Sequence, residues 1–210
     1  MALDLTYRLI VSCLHTAIDF YGGMIVEGRS NVPRNGGLLL VSNHRSLSDP
    51  PVILSAIPRP VRFMARDYIF KVRWIGPVIQ KLGAFPVSPD GFTRAPLRRA
   101  VDLLKAGEVV GMFPEGRITE TGSMLPFTPG ALQIARLANV PILPVGLQLT
   151  ERLVPYGKTV PQRAAGKAII RIGTPVTMDV LTGGVMGKEG MQQAAVELEC
   201  RVRILAGEKE

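Results

Sequence analysis

Seven short apolar runs, near residues 24 to 28, 37 to 43, 60 to 65, 83 to 88, 108 to 113, 141 to 149 and 167 to 173, alternate with stretches of helical periodicity. Runs of that length bounded by Gly, Pro and Asn read as strands, and strands that alternate with helices are joined by crossovers. The expected fold is therefore α/β: one domain with a central mixed, largely parallel sheet flanked by helices. At 210 residues and 47% hydrophobic content, the chain is long enough to bury a sizeable core.

Helix ends are marked along the chain. Asp49-Pro50 reads as an N-cap followed by proline at the first helical position, and Thr128-Pro129 repeats the device before Ala131 to Ala138. Pro96 opens a helix that Gly107 closes. A last helix over about 188 to 205 carries Met191, Ala194, Ala195, Leu198, Val202 and Leu205 on one face. The stretches 155 to 166 and 182 to 187 read as surface loops.

The N-terminus adds an amphipathic helix that Gly22-Gly23 ends. Leu9/Ile10, Cys13/Leu14, Ala17/Ile18 and Tyr21 recur at helical spacing, while Arg8, His15 and Asp19 interrupt the stretch. Those charges and the absence of a basic n-region argue against a signal peptide or a spanning helix. Packing on the domain and lying in a membrane interface both fit the periodicity, and the interface is the favoured expectation.

The formal net charge is +8, and nearly all of the excess is local: residues 59 to 105 hold ten basic side chains against three acidic ones. Phe63, Tyr68, Ile69, Phe70, Trp74, Ile75 and Val78 are interleaved with those cations, a mixture suited to a bilayer's headgroup and acyl boundary. A helix with a solvated basic face fits the composition equally well. Cys13 and Cys200 are far apart and form no zinc-like cluster, so neither a disulfide framework nor a metal site is expected and a reducing cytoplasmic setting fits.

Two motifs carry chemistry. In Ser42-Asn43-His44-Arg45-Ser46-Leu47-Ser48-Asp49-Pro50, a histidine and a carboxylate five residues apart follow an apolar strand. That is a candidate general base with its orienting acid, although Asp49 as a simple helix cap explains the carboxylate equally well. One histidine with one carboxylate does not make a metal shell. The second motif, Phe113-Pro114-Glu115-Gly116-Arg117, also follows a strand, so both fall at the carboxyl edge of a parallel sheet, where open α/β folds bind ligands. Gly116 permits a close backbone turn and Arg117 can grip phosphate, while an ordinary turn with a surface salt bridge is the plainer alternative.

Together the blocks resemble the glycerolipid acyltransferase family, which includes bacterial 1-acyl-glycerol-3-phosphate acyltransferases. The resemblance rests on Asn43-His44-x4-Asp49, Gly83-Ala84-Phe85-Pro86-Val87, Phe113-Pro114-Glu115-Gly116 and Val140-Pro141-Ile142-Leu143-Pro144-Val145, in that order, and covers about residues 24 to 150. It implies direct transfer of an acyl group from a thioester, acyl-CoA or acyl carrier protein, to a hydroxyl of a lysophospholipid, with no cofactor beyond the thioester co-substrate. His44 would take the hydroxyl proton and Asp49 would hold the imidazole; Glu115, Gly116, Arg117, Asn43 and Arg66 are the expected substrate-binding residues, and Ser46 and Ser48 are spectators. The implied organisation is a membrane-interface helix over 1 to 23 and an acyltransferase domain over 24 to 210, attached peripherally to the cytoplasmic face of the membrane. Its partners are a phospholipid surface, the lysophospholipid and the thioester carrier.

Two departures bear on the acceptor. The family's second block commonly ends with a phosphate-binding arginine, but here Val87 leads into Ser88-Pro89-Asp90; the third commonly reads Glu-Gly-Thr-Arg, but here Arg117 follows Gly116 directly. Both features are similar to bacterial 2-acylglycerophosphoethanolamine acyltransferases, whose phosphodiester acceptor needs fewer cations. Lysophosphatidic acid is the first expectation and the ethanolamine lysolipid the second. A non-catalytic basic module would leave the His44/Asp49 block without purpose, and nucleic acid is not an expected partner because no nucleic-acid motif is present. A lipid-ester hydrolase would need a nucleophile elbow that the sequence lacks.

Overall fold

The computed structural model describes residues 5–87, 94–185 and 187–208. In chain order it contains α1 (Leu5–Tyr21), β1 (Met24–Glu27), β2 (Leu38–Ser42), α2 (Asp49–Ala56), β3 (Val61–Arg66), α3 (Asp67–Phe70), α4 (Gly76–Lys81), β4 (Phe85–Val87), α5 (Arg94–Lys105), β5 (Val109–Met112), α6 (Gly130–Ala138), β6 (Ile142–Gln148), β7 (Ala168–Ile172), α7 (Met178–Thr182) and α8 (Gly187–Ala206). All seven expected strands form one sheet, ordered β1-β7-β6-β2-β5-β3-β4. Every pairing is parallel except β6 with β7, so β1 and β7 run against the other five.

Strand β2 lies inside the sheet, and all five of its residues are buried. Leu38 and Leu40 join the core under α1 and α2, while Leu39 and Val41 join the opposite core with residues of α5, α6 and α8. A strand covered on both faces has no use for polar alternation, which is why it reads as an unbroken apolar run. Parallel neighbours deliver the ends of β2, β5, β3 and β4 to one edge of the sheet.

Several helix boundaries differ from expectation. Asp49 is the first residue of α2, with Ser48 in the cap position. Pro129, not Thr128, precedes α6, because the Thr128 hydroxyl donates to the carbonyl of Pro114 at 2.8 Å. The 182 to 187 stretch is not wholly a loop: α7 reaches Thr182 and buries Leu181, and α8 resumes at Gly187. The expected Ser88-Pro89-Asp90 departure lies outside the described residues.

Helix α1 docks on the domain through Tyr7, Val11, Leu14, Ile18 and Tyr21, and the Tyr7 hydroxyl oxygen accepts the N–H of Val61 at 3.0 Å. Its outer side carries Leu5, Leu9, Cys13 and Phe20, all exposed. At 100° per residue these form a second apolar stripe, separated from the first by Arg8, Ser12, His15 and Asp19. The helix therefore packs on the domain and presents apolar side chains outward at the same time. No described helix is long and apolar enough to cross a membrane.

Candidate active site at the carboxyl edge of the sheet

Beyond β2 the chain turns sharply enough for Asp49 to reach back over its own loop. The Oδ2 atom of Asp49 accepts the backbone N–H of Arg45 at 2.6 Å and of Ser46 at 2.8 Å, and lies 2.8 Å from His44 Nδ1. An oxygen already taking two N–H donors acts as acceptor toward the ring as well, so Nδ1 carries the proton and Nε2 the lone pair. The Asp49 carboxylate thus caps the loop before the helix instead of the helix itself. It is fully buried, whereas the His44 side chain remains 16% exposed and its Nε2 has no protein partner among the described residues.

Ser46 and Ser48 are buried and turn their hydroxyls toward the segment after β6. Their hydroxyls lie within 2.6 Å of the Val154 carbonyl and 2.8 Å of the Thr150 carbonyl, respectively. Asn43, expected to contact substrate, is also completely buried: its amide donates to the carbonyl of Leu147 at 3.0 Å and accepts the N–H of the same residue at 2.8 Å. The side chain extends the β2–β6 ladder past the end of β2. It fixes where His44 emerges, and both of its polar atoms are engaged in doing so.

The motif after β5 lies alongside. Glu115 points inward, with Oε1 accepting the N–H of His44 at 2.7 Å and Oε2 that of Leu125 at 2.8 Å. Burial pushes its carboxyl up to about 7, against the pull of the Leu125 and His44 N–H groups. Both oxygens are engaged in holding loops. Gly116 has a φ of 71°, a turn that favours glycine, and is exposed together with Arg117. Arg66, at the end of β3, donates to the Gly116 carbonyl at 2.8 Å, so the two arginines flank one turn.

Sequence reasoning missed how the segment 117 to 128 is held. Three carboxylates each take one of its amides: Glu208 that of Met124, Glu115 that of Leu125 and Glu199 that of Phe127. Glu208 also receives Arg45 at 3.1 Å and Arg203 at 3.1 Å, tying the loop after His44 to the end of the chain. Partners this distant in sequence leave no local pattern. No group of three or more His, Cys, Asp or Glu side chains able to hold a metal occurs among the described residues.

Comparison with known proteins gives the geometry a context. The family model described as Acyltransferase matches residues 23–148. A 1-acyl-sn-glycerol-3-phosphate acyltransferase of Bacillus subtilis is 29% identical over 143 residues, covering 68% of this chain and 71% of the relative. The human 1-acyl-sn-glycerol-3-phosphate acyltransferase alpha is 28% identical over 164 residues, covering 75% of this chain and 56% of the relative. The crystal structure of the 1-acyl-sn-glycerophosphate acyltransferase PlsC from Thermotoga maritima superposes with a TM-score of 0.76 at 28% identity, covering 97% of this chain and 81% of that one.

Proposed function

The chain belongs to the acyltransferase family, and from that premise we propose that it transfers a fatty acyl group from a thioester to the free hydroxyl of 1-acyl-glycerol-3-phosphate, forming phosphatidic acid. The observation that carries this reading is the His44–Asp49 pair, 2.8 Å apart, with Nε2 free of partners among the described residues and the His44 backbone bonded to Glu115, next in sequence to Gly116. As the acceptor oxygen bonds to the thioester carbonyl carbon, its proton passes to Nε2; the C–S bond breaks, and the proton then goes to the leaving thiolate. Asp49 keeps Nδ1 protonated and offsets the charge on the imidazolium. The donor is acyl-CoA or acyl carrier protein, and no further cofactor enters.

Arg117 and Arg66 serve the acceptor phosphate, with Gly116 letting the backbone come close. Glu115 acts indirectly, by holding the backbone of His44. Arg66 already gives one N–H to the Gly116 carbonyl, which leaves it less to offer a doubly charged phosphate and supports a lysophosphatidylethanolamine-type acceptor as the second reading.

The lysolipid comes from a bilayer, and peripheral attachment at the cytoplasmic face fits the outer surface of the protein. Leu5 is 68% exposed, Phe20 66% and Trp74 77%, with Arg163 over the Phe20 ring at 5.7 Å and Arg73 over the Trp74 ring at 5.2 Å. Apolar side chains with cations beside them suit an anionic lipid surface. The test offers purified protein labelled oleoyl and palmitoyl thioesters with lysophosphatidic acid and lysophosphatidylethanolamine in parallel. Transfer to the first supports the leading reading, transfer to the second alone supports the other, and transfer to neither defeats both.

A further inference from the structure

We infer that Phe113 is a positioning residue for His44: it holds the plane of the imidazole and steadies the positive charge that the ring takes up during acyl transfer. The inference rests on the reading of His44 as the base. The two rings are stacked, with centroids 4.0 Å apart and planes 12° from parallel. The Asp49 bond defines where Nδ1 points, but one hydrogen bond leaves the torsion at the Cβ–Cγ bond soft, because wells for such sp³–sp² torsions are broad. A flat aromatic face against one side of the imidazole removes that remaining tilt. It also leaves the Nε2 edge uncovered.

The stack is anchored in the core. Phe113 lies parallel to Phe63 within 7°, at a centroid distance of 5.5 Å, and Phe63 is buried on β3. The β3–β5 register sets Phe63 beside Gly111, where a Cβ would come within 2.6 Å of the Phe63 ring. Glycine weakens the middle of a strand, yet here it makes the room that the ring occupies. The sequence of contacts runs from Gly111 to Phe63, Phe113 and His44, three near-parallel rings rooted in a strand position that excludes a side chain. Charge adds to geometry: when Nε2 takes the acceptor's proton, the imidazolium meets the electron-rich face of Phe113, an attraction that the neutral ring lacks.

Two measurements on the full chain test this. In the first, Phe113→Leu lowers kcat by roughly tenfold with both KM values within about twofold of wild type, while Phe113→Tyr, which keeps the ring, retains most of the turnover. In the second, His15→Ala leaves His44 as the single imidazole signal by NMR. Its ring protons are shifted upfield by the stacked ring in that background and in Phe113→Tyr, and move downfield in Phe113→Leu. Phe113→Met replaces the leucine variant if the latter loses its cooperative thermal transition. Equal kcat in Phe113→Leu and wild type, equal loss in the leucine and tyrosine variants, or His44 signals that ignore the substitution would each overturn the proposal. If His44→Ala proves fully active while the upfield shift is present, the base assignment fails and the stack survives, so the two failures are distinguishable.

Discussion

Glu115 accepts the backbone N–H of His44 through one carboxylate oxygen, at 2.7 Å, and that of Leu125 through the other, so a single buried side chain sets the spacing between the loop after β2 and the segment before α6. Glutamine at this position keeps the shape but offers only one acceptor, since its nitrogen donates. Glu115→Gln is expected to lower kcat by about tenfold or more, with less effect on thioester KM.

The same carboxyl gives the stability a pH signature. Its folded-state value of about 7 lies above its ordinary 4.5, so between those limits the folded protein retains a proton that the unfolded chain releases. Stability contributed at this position is present below about 4.5 and declines as pH rises through about 7, by up to about 3 kcal/mol. Urea unfolding of wild type and Glu115→Gln at about pH 5 and about pH 8 checks the sign: the wild type's advantage must shrink at the higher pH. A difference that stays constant contradicts it.

For the base itself, His44→Ala is expected to lose on the order of 10²-fold or more in kcat while keeping its thermal midpoint. Asp49→Asn removes the charge facing the imidazolium and places an N–H₂ or a single oxygen where Oδ2 gathers three donors, so both turnover and stability fall. Single-turnover acyl transfer alongside thermal denaturation separates the two losses.

Arg117→Ala and Arg66→Ala are expected to raise the KM for the phosphate-bearing acceptor by roughly tenfold each, leaving thioester KM nearly unchanged. Equal increases for both substrates would remove these arginines from the acceptor's phosphate.

Removing α1 altogether would strip Tyr7 and Ile18 from the core, so point changes on its outer stripe are the cleaner probe of membrane attachment. Leu9→Gln and Phe20→Ser on that stripe, combined with Trp74→Ala in the turn before α4, are expected to release the protein from anionic vesicles in a sedimentation assay, with its thermal midpoint preserved. Unchanged sedimentation would count against these side chains as the lipid contact.

The strands and the two motifs were legible because their signals are local: apolar runs of fixed length, a His-x4-Asp spacing, a glycine at a turn. Periodicity gave α1 one apolar face that joined Leu9 and Cys13 to Ile10, Leu14 and Ile18; the side that docks is marked by the Tyr7–Val61 bond, 54 residues apart, and it leaves Leu9 and Cys13 outside. Helix α7 went unread because its five residues bury only Leu181. The bonds of Asn43 to Leu147 were not legible, because the two lie 104 residues apart and nothing near Asn43 signals β6. Glu199 and Glu208 gave no hint of holding the segment 117 to 128, since their partners lie 72 and 84 residues away.

That last pair has a consequence for biogenesis. Arg45, one residue beyond the proposed base, meets Glu208, 163 positions further along, and β2 itself rests between strands that begin at Val109 and Ile142. A ribosome that has released the first half of the chain has exposed His44 and Asp49 without the neighbours that aim them. The contacts that hold the loop after His44 are thus complete only once translation has passed Glu208.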